Sequence, residues 1–278
     1  LEECLEALLA EVKPIKKTEY VALADACERI LGEDIVAQMM IPPYPKSAMD
    51  GYAVRAEDTL GADREHPVTL QVVGELFAGD CTEIPCKGGC AVRVMTGSYV
   101  PEGYDAVIRQ EDTEYGAEQG QIYRSVTAGT NYCCVGEDIR EGEQILARGT
   151  HLRALHMGLL ASLGIHKVPV CERIKCSILS TGSELMAPGM PLLPGKIYNS
   201  IAYMLRASME RQGIQVPFTE ICRDDKEVLK EKLQQCLKTA DIVITTGGVS
   251  VGKKDLLPEV LEELGAKKIF SHANIQPG

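Results

Sequence analysis

Asp241-Ile242-Val243-Ile244-Thr245-Thr246-Gly247-Gly248-Val249-Ser250-Val251-Gly252-Lys253-Lys254-Asp255 is an apolar run that ends in a glycine-rich turn. Three consecutive branched apolar residues followed by turn formers read as a strand buried on both faces, the pattern of a parallel sheet. Gly247 and Gly248 can take positive φ and let a ligand approach bare backbone, and Asp255 adds a carboxylate just beyond. A second turn of the same kind, Leu179-Ser180-Thr181-Gly182-Ser183-Glu184-Leu185, follows the run Ile174–Leu179. Two such turns on one sheet meet at its carboxyl edge, where open α/β sheets bind ligands.

Around this pair, strands and helices alternate from residue 173 onward. Strands are expected at 174–180, 215–221, 241–246 and 267–272. Helices are expected at 200–212 (stopped by Gly213), 226–239 (capped by Asp224 or Asp225) and 255–264. Ala187–Gly195, rich in proline and glycine, reads as a loop. Between 51 and 133 the texture differs: short runs at 52–55, 68–73, 91–94, 106–109 and 121–126, separated by turn residues, read as a small all-β domain. Val135–Ile139 and Glu143–Leu146 read as further short strands. Upstream, the spacing of Leu5, Leu8, Leu9 and Val12 predicts a helix over 1–12. The spacing of Val21, Leu23, Ala24, Cys27, Ile30 and Leu31 predicts a second over 20–31, closed by Gly32. Ile41-Pro42-Pro43-Tyr44-Pro45 forbids helix and marks an extended crossover, and Arg153–Leu163 suits a helix ended by Gly164.

At 278 residues the chain calls for more than one domain. Its formal charge of −11 and the lack of a basic patch argue against nucleic-acid and anionic-membrane partners. No stretch approaches the roughly 20 apolar residues of a transmembrane helix. The acidic, amphipathic start is no secretory signal, and the eleven cysteines point to reduced thiols in a cytosol. Cys81, Cys86 and Cys90 lack the spacing of a zinc ribbon, and adjacent Cys133 and Cys134 point apart on any regular element. The start at Leu1 and the Pro277-Gly278 turn at the other end read as a fragment that has lost C-terminal sequence.

No nucleophile pattern stands out. Ser180, Ser183 and Ser250 lie in glycine turns without a histidine placed in sequence to pair with them, and His66, His151, His156, His166 and His272 form no metal-ligand spacing. A P-loop is absent as well. Instead Asp50, Thr96, Asp138, Glu184, Asp224 and Asp255 all sit at element ends or glycine turns. Carboxylates gathered at turns suit a divalent metal and the N–H and NH₂ donors of a heterocycle. A phosphate ligand would have to meet them through Mg²⁺ or through its other groups.

Ser47-Ala48-Met49-Asp50-Gly51-Tyr52-Ala53, Met95-Thr96-Gly97 with Pro101-Glu102-Gly103, Gly136-Glu137-Asp138-Ile139, Ser180-Thr181-Gly182 with Glu184-Leu185, and Thr246-Gly247-Gly248-Val249-Ser250-Val251-Gly252 follow one another along the chain. In content and order they resemble the molybdopterin molybdenumtransferase (MoeA) family, which includes the E domain of gephyrin. The first segment is the most specific, and the likeness runs over nearly the whole chain. The resemblance implies a multidomain α/β plus β fold. An elongated linker domain would take residues 1–40 and 134–172, an inserted β-rich domain 41–133, and a three-layer α/β molybdopterin-binding domain 173–278. The family's C-terminal β-barrel would be absent. It further implies Mg²⁺-dependent insertion of molybdate into adenylylated molybdopterin with release of AMP, carried out by a cytoplasmic homodimer. A molybdopterin adenylyltransferase and recipient molybdoenzymes would be its partners. By matching position, Asp50, Thr96, Asp138, Glu184, Asp224 and Asp255 would be the catalytic residues, with Glu184 and Asp255 on the metal. Thr181, Gly182, Ser183, Thr246, Gly247, Gly248, Ser250 and Gly252 would bind the pterin or its phosphate.

Where the family usually carries an arginine before the Gly-Glu-Asp turn, this chain has Cys133-Cys134. His272 and Gln276 stand where lysines are expected. These exchanges remove positive charge and favour an alternative, a catalytically weakened molybdopterin-binding carrier or sensor. Tungstate in place of molybdate is equally compatible with the sequence.

Overall fold

A computed structural model describes residues 1–114, 116–247, 256–270 and 273–274. They divide into two compact units: one of residues 1–33, 149–157 and 167–278, the other of residues 34–148 and 158–166.

In the first unit a three-stranded parallel sheet places Lys175–Thr181 between Gln215–Cys222 and Ile242–Thr246. Six consecutive residues of the central strand, 176–181, are buried, as expected for a strand covered on both faces. Its alternate side chains serve different helices. Cys176 and Ile178 pack with Ala202 and Leu205 of the helix Ile201–Arg211. Leu179 packs on the other face with Leu229 and Leu233 of Lys226–Thr239, and with Leu257 and Val260 of Leu257–Glu263. The result is helix, sheet and helix in three layers.

The expected stops and caps operate here. Asp225 accepts from Val228 N–H at 3.0 Å as N-cap of the helix 226–239, and Gly213 ends the helix before it at φ +76°. Two expectations fail. Lys267–Phe270 form no strand; Ser271 and His272, which complete that expected segment, lie outside the described residues. Residues 20–31 are not a helix either. Thr18–Ala22 is a strand paired antiparallel with Lys167–Cys171, a short 3₁₀ turn follows at Leu23–Asp25, and Glu28 adopts φ +62°. The helical spacing was coincidental because pairing with a distant strand overrode it. Gly32, expected as a cap, serves close packing instead: a β-carbon there would sit 2.7 Å from the Thr18 side chain and 3.1 Å from the Val170 carbonyl carbon.

The second unit is built on a six-stranded sheet in the order Ala106–Arg109, Gly51–Val54, Cys90–Val94, Val68–Leu76, Gln119–Ile122, Thr113–Glu114. All neighbours run antiparallel except Val68–Leu76 and Cys90–Val94, which are parallel. Both faces are covered: Tyr52, Val54, Leu70, Ile108 and Ile122 pack on one, Ala53, Leu76, Val92, Val94 and Val107 on the other. The proline-rich run is not a straight extended segment as expected: Ile41 bridges Ile139 and the chain then bends through Pro42, Pro43 and Tyr44. Of the two short strands expected beyond, Gln144–Leu146 forms and pairs with Ile35–Val36, while 135–139 is a turn with that single bridge.

Gly51 is fixed by contact. A β-carbon there would lie 1.8 Å from the carbonyl oxygen of Ile108 on the neighbouring strand, and backbone in mid-sheet cannot swing aside. Gly51→Ala is expected to destabilise this unit by at least about 2 kcal/mol. Gly158, inside the helix Ala154–Ser162, has open space around its α-carbon. Gly158→Ala should instead stabilise by up to about 1 kcal/mol. Urea midpoints of the two variants, followed by circular dichroism, check this; equal midpoints would refute the steric account.

Candidate functional site

At the carboxyl edge of the parallel sheet three strand ends are knitted together. The Thr246 hydroxyl donates to Ser180 Oγ at 2.9 Å and the Thr181 hydroxyl to the Thr246 carbonyl at 3.3 Å. Gly182 N–H donates to the Cys222 carbonyl at 3.2 Å. Gly247, at φ +81°, approaches Thr181 so closely that a β-carbon would lie 2.3 Å from the Thr181 carbonyl oxygen. Only glycine meets both demands.

Beyond these ends a carboxylate is clasped. Ser183 donates through its backbone N–H (3.1 Å) and its hydroxyl (2.8 Å) to the same oxygen, Oδ2 of Asp224. The exposed Glu184 carboxylate folds back over Gly182, where a β-carbon would meet its oxygens at 2.6 Å.

The other unit holds the same device. Thr96 donates through its N–H (2.7 Å) and its hydroxyl (2.8 Å) to Oδ1 of Asp50. The Asp50 turn is anchored on both sides: Gln110 N–H donates to the Asp50 carbonyl at 3.0 Å, and buried Ser47 donates its hydroxyl to the Met49 carbonyl at 2.5 Å. Ser47 also exchanges backbone bonds with Gly97 (2.8 Å) and Ser98 (3.0 Å). Thr96's two donors, with the charge of Arg93 farther off, hold the Asp50 carboxyl below the usual aspartate range.

Asp138 is exposed in this same unit, on a turn where Gly136 N–H donates to the Pro42 carbonyl (3.0 Å) and Asp138 N–H to the Ile41 carbonyl (2.9 Å). Glu137 accepts from Cys134 N–H at 2.8 Å. Just upstream, Tyr132–Cys133 pairs antiparallel with Lys46–Ser47, so Cys133 stands opposite Lys46 on the ribbon that leads to Asp50. Burial pushes the Cys133 thiol up, and the Glu137 charge adds to this.

The structure thus brings together Asp50 with Thr96, Ser183 with Asp224, and Thr181 with Thr246 and Gly247. Gly248, Ser250, Gly252, Asp255, His272 and Gln276 lie outside the described residues. Sequence reasoning missed Lys196, whose Nζ donates to the Ser183 carbonyl at 2.6 Å. Nothing in Gly195-Lys196-Ile197 announces this. The approach depends on Leu185–Met186 pairing with Ile197–Tyr198 across the intervening loop.

The cysteines and histidines hold other places. All eleven cysteines are free, and burial pushes the Cys86, Cys176, Cys222 and Cys236 thiols up, away from reactivity. His151 faces the Glu28 carboxylate at 3.0 Å, and His156 accepts the Arg153 N–H at 3.1 Å. Among the described residues no group of three or more His, Cys, Asp and Glu could hold a metal ion, and no helix is long and apolar enough to cross a membrane. The exposed carboxylate of Glu184 nonetheless suits Mg²⁺, which keeps several waters and is commonly held by one or two carboxylates together with substrate phosphates.

Comparison with known proteins matches residues 1–164 to the MoeA N-terminal region, domains I and II, and residues 177–278 to a probable molybdopterin-binding domain. The chain belongs to the MoeA family. Among curated MoeA-family relatives, the molybdopterin molybdenumtransferase of Bacillus subtilis is 39% identical over 94% of this chain. That of Haemophilus influenzae is 36% identical over 100% of it. The chain spans 62% of the length of the first and 68% of the second. A crystal structure of the MoeA molybdopterin biosynthesis protein of Pyrococcus horikoshii superposes with a TM-score of 0.82 at 38% identity, covering 88% of this chain and 65% of that one.

The Thr96 clasp has a pH signature. A carboxyl held below its unfolded value contributes stability that is present above the unfolded aspartate pKa and is lost as pH falls through the folded one. The Asp50 carboxyl resonance should therefore titrate below that of a free aspartate, about 3.9. Thr96→Val, which removes the hydroxyl donor alone, should raise it part of the way. Carboxyl-carbon NMR reads both, and an unmoved midpoint would refute the clasp.

Proposed function

We propose that this MoeA-family chain takes part in molybdenum cofactor biosynthesis as a molybdopterin molybdotransferase, inserting molybdate into the dithiolene of adenylylated molybdopterin with hydrolytic release of AMP. The observation that carries the reading is the Ser183–Asp224 clasp beside the Thr181–Gly247 backbone approach, within the segment matched to a molybdopterin-binding domain. The activity in the relatives' names supports it.

In this reading Asp50, Asp138 and Asp224 accept from pterin N–H and NH₂ donors. Thr96 and Ser183 aim Asp50 and Asp224 by holding one oxygen of each, and Thr96 also keeps Asp50 ionised. Thr181, Gly182, Ser183, Thr246 and Gly247, together with Gly248, Ser250 and Gly252, form the backbone bed for the pterin or its phosphate. Glu184, with Asp255, would hold Mg²⁺, which when bound neutralises phosphate charge. Glu184 is suited to this because it is exposed and folded over a glycine.

The proposal extends to a cytoplasmic homodimer in which the Asp50, Thr96 and Asp138 turns of one protomer complete the α/β site of its partner. A molybdopterin adenylyltransferase would act upstream and recipient molybdoenzymes downstream. It extends also to a three-part division, with 1–40 and 134–172 as linker, 41–133 as insertion and 173–278 as pterin-binding domain. Cys133 opposite Lys46 favours a second reading, a carrier or sensor that binds the pterin but turns it over poorly.

The test is AMP release from adenylylated molybdopterin with molybdate or tungstate and Mg²⁺. The chain should release AMP, and Asp50→Ala and Asp224→Ala should each reduce release by about 10²-fold or more. Binding without release would favour the carrier, and release untouched by either variant would sink the assignment of these residues.

A further inference from the structure

The candidate site is rich in carboxylates, yet the substrate proposed for it carries phosphate. The positions where the family resemblance leads one to expect cations hold Cys133, Cys134, His272 and Gln276. One cation is nevertheless tied into the site turn. Lys196 is half-buried, and its Nζ rests 2.6 Å from the carbonyl oxygen of Ser183, the residue that clasps Asp224.

Its approach is enforced by backbone. Ile197 N–H donates to the Glu184 carbonyl at 2.9 Å and Asn199 N–H to that of Met186 at 2.9 Å. The loop is closed by the Tyr198 hydroxyl on the Met190 carbonyl at 2.8 Å. At the other clasp the nearby cation is engaged elsewhere: the Arg93 guanidinium is paired with Glu75 at 2.8 Å. An ammonium has three donors. One is spent on Ser183, and among the described residues no carboxylate pairs with the rest.

We propose that Lys196 is a substrate-binding residue of this site, giving the phosphate-bearing part of the substrate a charge-assisted contact in place of the missing basic residues. The inference rests on the pterin-binding reading above and adds to it a specificity for anionic, nucleotide-linked pterin over the bare heterocycle.

Direct binding of adenylylated molybdopterin, without molybdate, tests it in the wild-type chain and in Lys196→Arg, Lys196→Gln and Asp224→Ala. Glutamine can still donate to the Ser183 carbonyl but carries no charge, so it separates charge from support of the turn. Lys196→Gln should weaken binding by about tenfold or more, the scale of one charge-assisted contact. Lys196→Arg should stay within a few-fold of wild type, and raised salt should weaken wild type more than Lys196→Gln. Lys196→Gln binding as tightly as wild type, while Asp224→Ala loses binding, would overturn the role of Lys196 and leave the site standing. No binding by wild type, or binding indifferent to Asp224→Ala, would overturn the site reading and this inference with it.

Discussion

The segment matched to a probable molybdopterin-binding domain depends on the two-sided hydrogen bonding of one strand, Lys175–Thr181. It pairs in parallel register with Gln215–Cys222 on one edge and Ile242–Thr246 on the other. That register brings Thr181 level with Cys222 and Ser180 level with Thr246, so all three strands end together. Because they do, Gly247 can touch the Thr181 carbonyl and Ser183 can reach Asp224. A slip of one residue would reverse every side chain on the strand, exchanging the Cys176–Ile178 face for the Leu179 face. Core packing and site geometry are therefore set by the same ladder.

The two clasps repeat a single chemical solution in unrelated surroundings. In each, one residue's amide and hydroxyl hold one and the same oxygen of an aspartate. Holding a carboxylate this way fixes its direction, and at Asp50 the two Thr96 donors are the largest causes that keep it ionised. In a chain with a formal charge of −11, it sets two exposed carboxylates in fixed directions at their turns.

Much of this was legible in the sequence where local rules decide. The parallel strands, the Asp225 cap, the Gly213 stop and the short strands of the second unit all follow from periodicity and turn residues. Asp50, Thr96 and Asp224 could be picked as turn residues, but the pairing of Asp50 with Thr96, or Ser183 with Asp224, could not be read, since it spans distant sequence. Residues 20–31 misled because a helical spacing met a strand partner at 167–171 that contains a proline and announces itself weakly. Gly51 and Gly247 were visible as glycines, while the carbonyls of Ile108 and Thr181 that exclude a side chain there were not.

The pairing of Thr18–Ala22 with Lys167–Cys171 has a consequence in time. The whole of residues 34–148 is made between these two partners, so on the ribosome the amino-terminal strand must wait, unpaired, until residue 171 has emerged. Its long loop costs little more entropy to close than a shorter one, because closure entropy grows only with the logarithm of length. The delay is another matter, since an unpaired edge strand is an invitation to association. Folding of the intervening sheet first would shorten the effective distance between the waiting strand and its partner, making the inserted unit a guide for the assembly of the segments that flank it.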